Sequence, residues 1–479
     1  MNAVSLPSSL EEEAVVDSIS ALARRELNAL AIDRAGCMPP HVLKALAEVG
    51  VFGLTLPRPF GGFGAGLPLA TRVIEALAKV DRSVATTVGL HLGLGTRALV
   101  RYGTSELQEA LLPALSSGEA IAAFATTEPG SGSDLSKLGT RVSSQGDSLR
   151  LSGEKAYVTN GGIAQLITVT ARCEESVALE KGMAMLMLPT NTQGISRRKE
   201  EHKLGLRGSS TTGFLFDAVE VPRPHLLGSP ATGSAQIEHT LSWGRTLMSA
   251  GCVGAAASAL ERARSYTEMR RQFGRTLATQ PVVRGQLGRS VVMVSTMRAL
   301  VAATAEATTD AELHRLSVSA KIFCSEETGH VVDTALQLHG ASGYMEDTGL
   351  ALLWRDVRVT RIFEGANDVL LTHAGSLEVL NPRKYPEVPL LAQPAVRAVH
   401  RQLQSIKSSL GVRVFARPEI LHNLGSAVVW RDAVISGCRA FSEEAWQRIL
   451  AEEASLRIRS AHRGRHHRDD VEVVLQETR

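Results

Sequence analysis

The chain has no CxxC pair, no Walker A sequence, no long apolar run and almost no excess of charge of either sign. Its five cysteines (Cys37, Cys173, Cys252, Cys324 and Cys438) are odd in number and widely scattered. That argues against a disulfide framework and a thiolate zinc site, and it suits a reducing compartment. Aromatic residues make up only 4%, and 52 Lys+Arg stand against 49 Asp+Glu for a net +3. Neither a base-stacking platform nor a basic nucleic-acid face is expected. No stretch of about 18 uninterrupted apolar residues occurs, so no membrane-spanning helix is expected. The opening MNAVSLPSSLEEEAVV lacks a basic n-region, an apolar h-region and arginine. No secretory or mitochondrial targeting segment is expected there, and the expected location is cytoplasmic.

What the chain does have is bulk. Its 479 residues are 44% hydrophobic, enough for a large core shared among packed units. Residues 10–112 read as helical: Leu22, Leu27 and Leu30 recur at helical spacing, as do Val42, Leu43, Leu46 and Val49. From about 120 to 230 short β-rich runs alternate with turns, as in SLRLSG (148–153), MAMLML (183–188) and GFLFDAVEVP (213–222). They predict antiparallel strands in a barrel or sandwich. The helical period then returns, and Leu316, Ala320, Cys324, Val331, Ala335 and Leu338 form one apolar stripe down a long helix. Helices, then strands, then helices exclude a doubly wound sheet. The expected class is α+β multidomain: an N-terminal helical domain (1–118), a middle β domain (119–233), a C-terminal helical bundle (234–380) and an extension (381–479). In the extension, NPRKYPEVP (381–389) reads as a linker. Val396, Val399, Leu403, Ile406 and Leu410 follow as a stripe opposite Arg397, His400, Arg401, Gln404 and Lys407. A basic amphipathic helix of this kind is a candidate for peripheral contact with an anionic membrane.

Two glycine patterns carry little. GLGTRA (93–98) fits the loose G-x-G-x-x-A fingerprint, but its surroundings look helical and no βαβ unit encloses it. GGFGAG (61–66) has the wrong spacing. ATTEPGSGSD (125–134) is a Gly/Ser turn after an apolar strand, which by itself reads as a surface loop. It also gathers hydroxyls and backbone N–H groups from Thr126, Thr127, Gly132 and Ser133 into one stretch, a set that can line an isoalloxazine edge or hold a phosphate. KAYVTNGG (155–162) reads as an ordinary hairpin turn. The tail SLRIRSAHRGRHHRDD (455–468) clusters His462, His466 and His467, but a solvated basic tail is the plainer reading than a metal site.

The order of the segments is more informative than any one of them. ATTEPGSGSD, GEKAYVTNGG, KLGLRGSSTTGFLFDAVEVP (203–222), RRQFGR (270–275), QLHGASGY (337–344) and WRDVRVTRIFEGANDV (354–369) together resemble the acyl-CoA dehydrogenase family over most of residues 12–378. SAKIFCSE (319–326) and RIFEGANDVL (361–370) look closest to its very-long-chain branch. The resemblance implies an N-terminal helical domain, a middle β-barrel domain and a C-terminal four-helix bundle, with FAD held between barrel and bundle. It implies that Phe124, Thr126, Thr127, Gly132, Ser133, Tyr157 and Thr159 line the flavin, Tyr157 standing where the family usually has Trp. It further implies that Arg270, Gln272, Phe273, Gln337, Gly340 and Ala341 reach the FAD of a neighbouring subunit, so that the enzyme is a homodimer or a dimer of dimers. Arg270 suits that place because a planar guanidinium matches a pyrophosphate. Ala341 replaces a family glycine, Ala366 replaces a threonine beside the cofactor, and Asp368 follows on the same segment. Ser133, Arg245 and Gly365 are the implied substrate contacts.

Glu364 carries the expected chemistry. Its apolar neighbours Ile362 and Phe363 would desolvate the carboxylate and raise its pKa, as a general base requires. By resemblance it removes the α-proton of a fatty acyl thioester while hydride leaves the β-carbon for the flavin, giving a trans-2-enoyl thioester. Some family members place the base just before the arginine corresponding to Arg245; here that residue is Gly244, so the role falls to Glu364. The expected substrate is acyl-CoA, or an acyl group on an acyl carrier protein, and the expected electron acceptor is an electron-transferring flavoprotein. An oxidase or monooxygenase of the same fold, and a non-catalytic assembly protein, are the rival readings.

Overall fold

The computed structural model describes residues 9–174, 182–385, 387–441 and 444–463. His466 and His467 of the basic tail, and the side chain of His462, lie outside the described residues. The chain opens with helices α1 (Ser9–Glu26), α2 (Ala29–Ala35), α3 (Pro40–Glu48), α4 (Leu67–Val80), α5 (Arg82–Leu90), α6 (Thr96–Tyr102) and α7 (Ser105–Ser117). The run read through Leu22, Leu27 and Leu30 breaks at Asn28. Its Oδ1 accepts the Ala31 N–H at 3.0 Å and starts a second helix. Asp81 starts α5 in the same way, accepting from Val84 N–H at 2.8 Å. A π turn at His91–Gly95 joins α5 to α6, so the glycines of GLGTRA sit inside helix. The first strand begins only at Ala122, and the dinucleotide fingerprint has no β-strand to serve.

The middle segment holds β1 (Ala122–Ala125), β2 (Arg141–Gln145), β3 (Ser148–Thr159), β4 (Leu166–Cys173), β5 (Gly182–Pro189), β6 (Ile195–Arg197), β7 (Thr211–Pro222) and β8 (Leu226–Leu227). They form one eight-stranded sheet in the order β6-β7-β3-β2-β4-β5-β8, with β1 beside β4. The expected antiparallel pairing holds for most of the sheet. The path ends at β6 and β8, and two pairings of the sheet are parallel, β2 with β4 on the path and β1 with β4 beside it. Ala122–Ala125 pair with Leu166–Val169, while Arg141 and Val142 pair with Arg172 and Cys173. β1 and β2 therefore lie in tandem along one edge of β4. The chain leaves that edge after Ala125, makes an excursion and rejoins it in the same direction. Strand length and turn residues cannot reveal such a return.

Next come α8 (Gly233–Met269), a hairpin of β9 (Arg271–Gln272) and β10 (Arg275–Thr276), then α9 (Pro281–Ala305), α10 (Asp310–His339), α11 (Ala341–Tyr344), α12 (Leu350–Arg358) and α13 (Asn367–Leu380). The predicted stripe is the buried face of α10: Leu316, Ala320, Cys324, Val331 and Ala335 are all enclosed. The extension adds α14 (Gln393–Ser409), α15 (Pro418–Ala440) and α16 (Glu444–Arg463). Val399, Leu403 and Ile406 of the α14 stripe are buried in the core that also holds α15. The apolar face offered above to a membrane is thus taken up by packing, and no helix of the described residues is long and apolar enough to cross a bilayer.

One apolar core runs through the N-terminal helices, the bundle and the extension, a second fills the sheet, and a third lies between α6, α7 and strands β1, β4 and β5. α15 crosses α13 with backbones nearly touching: a Cβ at Gly375 would overlap the Leu421 carbonyl, and one at Gly425 the Leu371 carbonyl. Beside this crossing the buried Arg431 guanidinium donates to both carboxylate oxygens of Glu378, at 2.8 and 3.1 Å. Asp432 accepts from Tyr385 Oη at 2.6 Å and from Ser319 Oγ at 2.8 Å.

Sheet and helices are locked by polar contacts. Asn160 Nδ2 donates to Thr87 O at 2.9 Å, and Asp356 Oδ1 accepts from Leu206 N–H at 2.6 Å. Burial pushes the Asp356 carboxyl up to about 7, with Asp81 and Asp33 adding to the rise and the Leu206 N–H opposing it. A carboxyl raised in the folded state binds a proton that the unfolded chain has released, so its stabilisation is lost as pH rises from about 4 through about 7. Asp356→Asn keeps the acceptor for Leu206 and never ionises. Its melting temperature should exceed that of the parent chain more at pH 8 than at pH 5. An equal difference at both values would refute a protonated Asp356.

Candidate active site

Glu364 lies in the short turn between α12 and α13, with φ +54°. Such a backbone is uncommon for a residue with a Cβ and persists only where the surroundings over-determine it. Two cations supply that constraint. Arg245 of α8, itself buried, donates from Nε to the Glu364 carbonyl at 3.1 Å. Lys321 of α10, fully enclosed, donates from Nζ to the Gly365 carbonyl and to Asn367 Oδ1, both at 2.6 Å. Asn367 Nδ2 in turn donates to Ser325 Oγ at 2.9 Å and Glu326 Oε1 at 2.6 Å. The turn is pinned from two helices, and its main-chain oxygens are used in the pinning.

The Glu364 carboxylate is left without a partner: Oε2 is buried and makes no hydrogen bond. Burial raises its pKa to about 7, against the downward pull of Arg245, Lys321 and Arg82. Burial lowers Lys321 to about 8, with Glu364 pulling the other way. The carboxylate faces the bare backbone of Gly244, where an added Cβ would stand 3.1 Å from Oε2 and 2.5 Å from Leu94 Cδ2. Positions 244 and 364 thus converge on one point, and of the two only Glu364 carries a carboxylate there.

The other candidates fall into two groups. The excursion 126–140 is closed at its neck by Glu128, whose carboxylate accepts from Lys155 Nζ at 2.8 Å and from Gly139 and Thr140 N–H at 2.5 and 2.9 Å. Lys155 Nζ also donates to Thr126 O at 3.0 Å, and Ala156 N–H donates to Thr127 O at 2.8 Å. Phe124, Thr126 and Thr127 therefore lie alongside the stretch leading to Tyr157 and Thr159. There the β3–β7 register shifts, and Tyr157, at φ +54°, swings out to 65% exposure. Thr126 Oγ1 is buried without a partner, while Gly132 and Ser133 are exposed. An orphaned hydroxyl beside an exposed ring and free turn groups fits a planar polar heterocycle such as a flavin.

The second group lies at one end of the bundle. Tyr266 of α8 stacks on His339 of α10 with ring centroids 4.2 Å apart. This brings the Arg270–Phe273 hairpin and the Gln337–Ala341 turn to the same end. All six of Arg270, Gln272, Phe273, Gln337, Gly340 and Ala341 are exposed, Phe273 at 92%. A Cβ at Gly340 would meet nothing within 4 Å. Ala366 caps α13, and Asp368 is exposed, 3.8 Å from His422.

Three family models match in order: the acyl-CoA dehydrogenase N-terminal domain over residues 9–119, the middle domain over 123–219 and the C-terminal domain over 231–376. The chain belongs to the acyl-CoA dehydrogenase family. Flavin-dependent dehydrogenation is that family's activity, and the chain is an oxidoreductase of that class. It is 30% identical over 362 residues to a probable acyl-CoA dehydrogenase of Bacillus subtilis, covering 75% of this chain and 95% of that one. It is 32% identical over 337 residues to the mitochondrial very long-chain specific acyl-CoA dehydrogenase of Homo sapiens, covering 68% of this chain and 51% of that one. An acyl-CoA dehydrogenase from Bacillus anthracis, solved in complex with FAD, superimposes with a TM-score of 0.85 at 24% identity, over 95% of this chain and 87% of that one. The fold likeness therefore extends into helices α14–α16 as well as the three family domains.

Lys321, Asn367 and Glu238 join this site through contacts that no local sequence pattern announces. Lys321 carried a signal: it stands inside the apolar run Ala320-Ile322-Phe323-Cys324, where a lysine is out of place unless it has a buried partner.

Proposed function

We propose that the chain is an FAD-dependent acyl-CoA dehydrogenase that converts a fatty acyl thioester to its trans-2-enoyl form, with Glu364 as the base. The observation that carries this reading is the enclosed, unpartnered Glu364 carboxylate with its pKa near 7. A base of that kind is half ionised near neutrality and is not spent on a salt bridge. FAD, when bound, supplies the acceptor for the hydride that leaves the β-carbon. Phe124, Thr126, Thr127, Gly132, Ser133, Tyr157 and Thr159 would hold it. Arg270, Gln272, Phe273, Gln337, Gly340 and Ala341 would meet the FAD of a second copy, with Ala366 and Asp368 contributing at the start of α13. Arg245 and Lys321 fix the turn that carries Glu364, and Gly365 and Ser133 would contact the thioester. Because the Glu364 carbonyl is held by Arg245, its N–H is the main-chain group left to polarise a thioester carbonyl. The proposed electron acceptor is an electron-transferring flavoprotein; peroxide formed in air at the turnover rate would overturn that assignment.

The test is anaerobic titration of the yellow protein with a panel of acyl-CoA thioesters, read as bleaching of the flavin band. Bleaching by at least one member is expected, and a colourless protein that takes up no flavin would overturn the proposal. The base must be ionised, so kcat should fall as pH drops through about 7. An acid limb near the ordinary glutamate value of about 4.3 would contradict the enclosed carboxylate.

A further inference from the structure

Behind Arg245 stands a polar chain that the proposed chemistry does not use. Arg245 Nη1 donates to Glu238 Oε1 at 2.5 Å, one α8 residue to another. The same Glu238 oxygen lies 2.8 Å from His314 Nδ1 on α10. The far nitrogen of that ring, Nε2, is 2.9 Å from His373 Nε2 on α13. Ser242 Oγ is a longer neighbour of His314 Nδ1, at 3.4 Å. One line of contacts thus runs from α13 through α10 to α8 and ends on the main chain of Glu364.

The protonation pattern gives the line a direction. Burial raises the Glu238 carboxyl, but the His314 hydrogen bond and the charge of Arg245 outweigh it, and its pKa lies well below the ordinary carboxylate range. Glu238 is therefore an acceptor, and His314 must carry its proton on Nδ1. Burial lowers His373 to about 4, helped by His314 and Arg245 and opposed by Glu238. Between the two Nε2 atoms of His373 and His314 one donates and the other accepts, so the contact holds the two rings edge to edge. Other titratable groups nearby are His239, Arg101 and Asp310, grouped by contacts one turn before His314, and the Asp368–His422 pair between α13 and α15.

A metal ion explains the cluster less well. The donor atoms of Glu238, His314 and His373 lie within 4.8 Å of one another. However, His314 turns opposite edges of its ring to its two neighbours. A single ion at about 2.0–2.2 Å from all three would require one of these contacts to rotate away. Arg245 also already occupies the Glu238 oxygen.

We propose that Glu238, His314 and His373 are positioning residues for the dehydrogenation, a relay that holds Arg245 on the carbonyl of Glu364. The proposal rests on the reading of Glu364 as the base. With the relay intact, Arg245 has one orientation; when it is cut, Arg245 is freed and the left-handed turn at Glu364 loses one of its two anchors.

The experiment is steady-state kinetics over a pH range on the holoenzyme and its Glu238→Gln, His314→Gln, His373→Gln and His373→Phe variants, with flavin content and melting temperature recorded alongside. His373→Phe should lose about tenfold in kcat, a size usual for a small displacement of a catalytic group. KM should change less than twofold, and flavin content should be unchanged. His373→Gln, which still offers an N–H, should recover most of the loss; a purely packing role would favour the phenylalanine. In Glu238→Gln the acid limb of kcat should move up, because Arg245 no longer holds Glu364 down. Simple removal of a negative charge would move it down. Equal kcat in all variants, a downward limb in Glu238→Gln, or zinc retained one per chain and lost in His373→Phe would overturn the relay. A parent enzyme inactive on every acyl thioester would instead overturn the reading of Glu364 on which the relay depends.

Discussion

Glu364→Gln should lower kcat on the best acyl-CoA by about 10³-fold, within the range a positioned general base contributes, while flavin content stays at the parent level. The substitution preserves shape and removes only the ability to take a proton. It should also change stability in a defined way. The carboxyl of Glu364 is raised from 4.5 to about 7, so its ionisation opposes folding, and the opposition grows as pH rises from about 4.5 through about 7. On the scale of roughly 1.4 kcal/mol per pKa unit, the parent chain should lose on the order of 3 kcal/mol across that interval from this group. The glutamine variant should not lose it. Melting curves at pH 5 and pH 8 on both proteins give the comparison. A variant that keeps more than a tenth of the parent rate would remove Glu364 from the role of base. One with the parent's pH dependence of melting would show that the carboxylate is better solvated than its surroundings indicate.

The second large effect belongs to the extension. Gly425→Leu places a side chain where even a Cβ would overlap the Leu371 carbonyl. The helices α13 and α15 cannot keep their spacing, and the neighbouring Arg431–Glu378 pair must part. Overpacking typically costs about 1–3 kcal/mol, and breaking a buried charge pair about 3–5 kcal/mol. The expected result is a fall in melting temperature large enough to separate the extension from the rest, together with rapid protease cleavage near residues 381–389. Gly411→Ala is the control. Unlike the helical Gly425 it has a positive φ, at +55°, but a Cβ there meets nothing within 4 Å, so only the modest strain of that backbone should appear. Equal melting of both variants would mean that the crossing does not anchor the extension.

Much of the helical architecture was readable because its signals are local. The α10 stripe from Leu316 to Ala335 is a period, and a period survives any tertiary context that buries one face. The Glu364 turn was readable as a word, RIFEGANDV, together with the absence of a rival carboxylate at Gly244. What escaped were meetings between distant residues. Lys321 reaches Gly365 across 44 positions and Glu238 meets His314 across 76, and nothing in either neighbourhood encodes the partner. The α14 stripe was read correctly as amphipathic but given the wrong neighbour, since a pattern specifies that a face is buried and leaves open against what. The parallel pairings of the sheet were hidden for a related reason: Ala122–Ala125 look the same whether the strand beside them runs up or down.

The tandem placement of β1 and β2 on one edge of β4 has a consequence for how such an enzyme can diversify. Both anchors of the 126–140 segment are backbone ladders on a single strand, and its neck is tied by Glu128. Its length can therefore change between those anchors while the strand beneath stays in register.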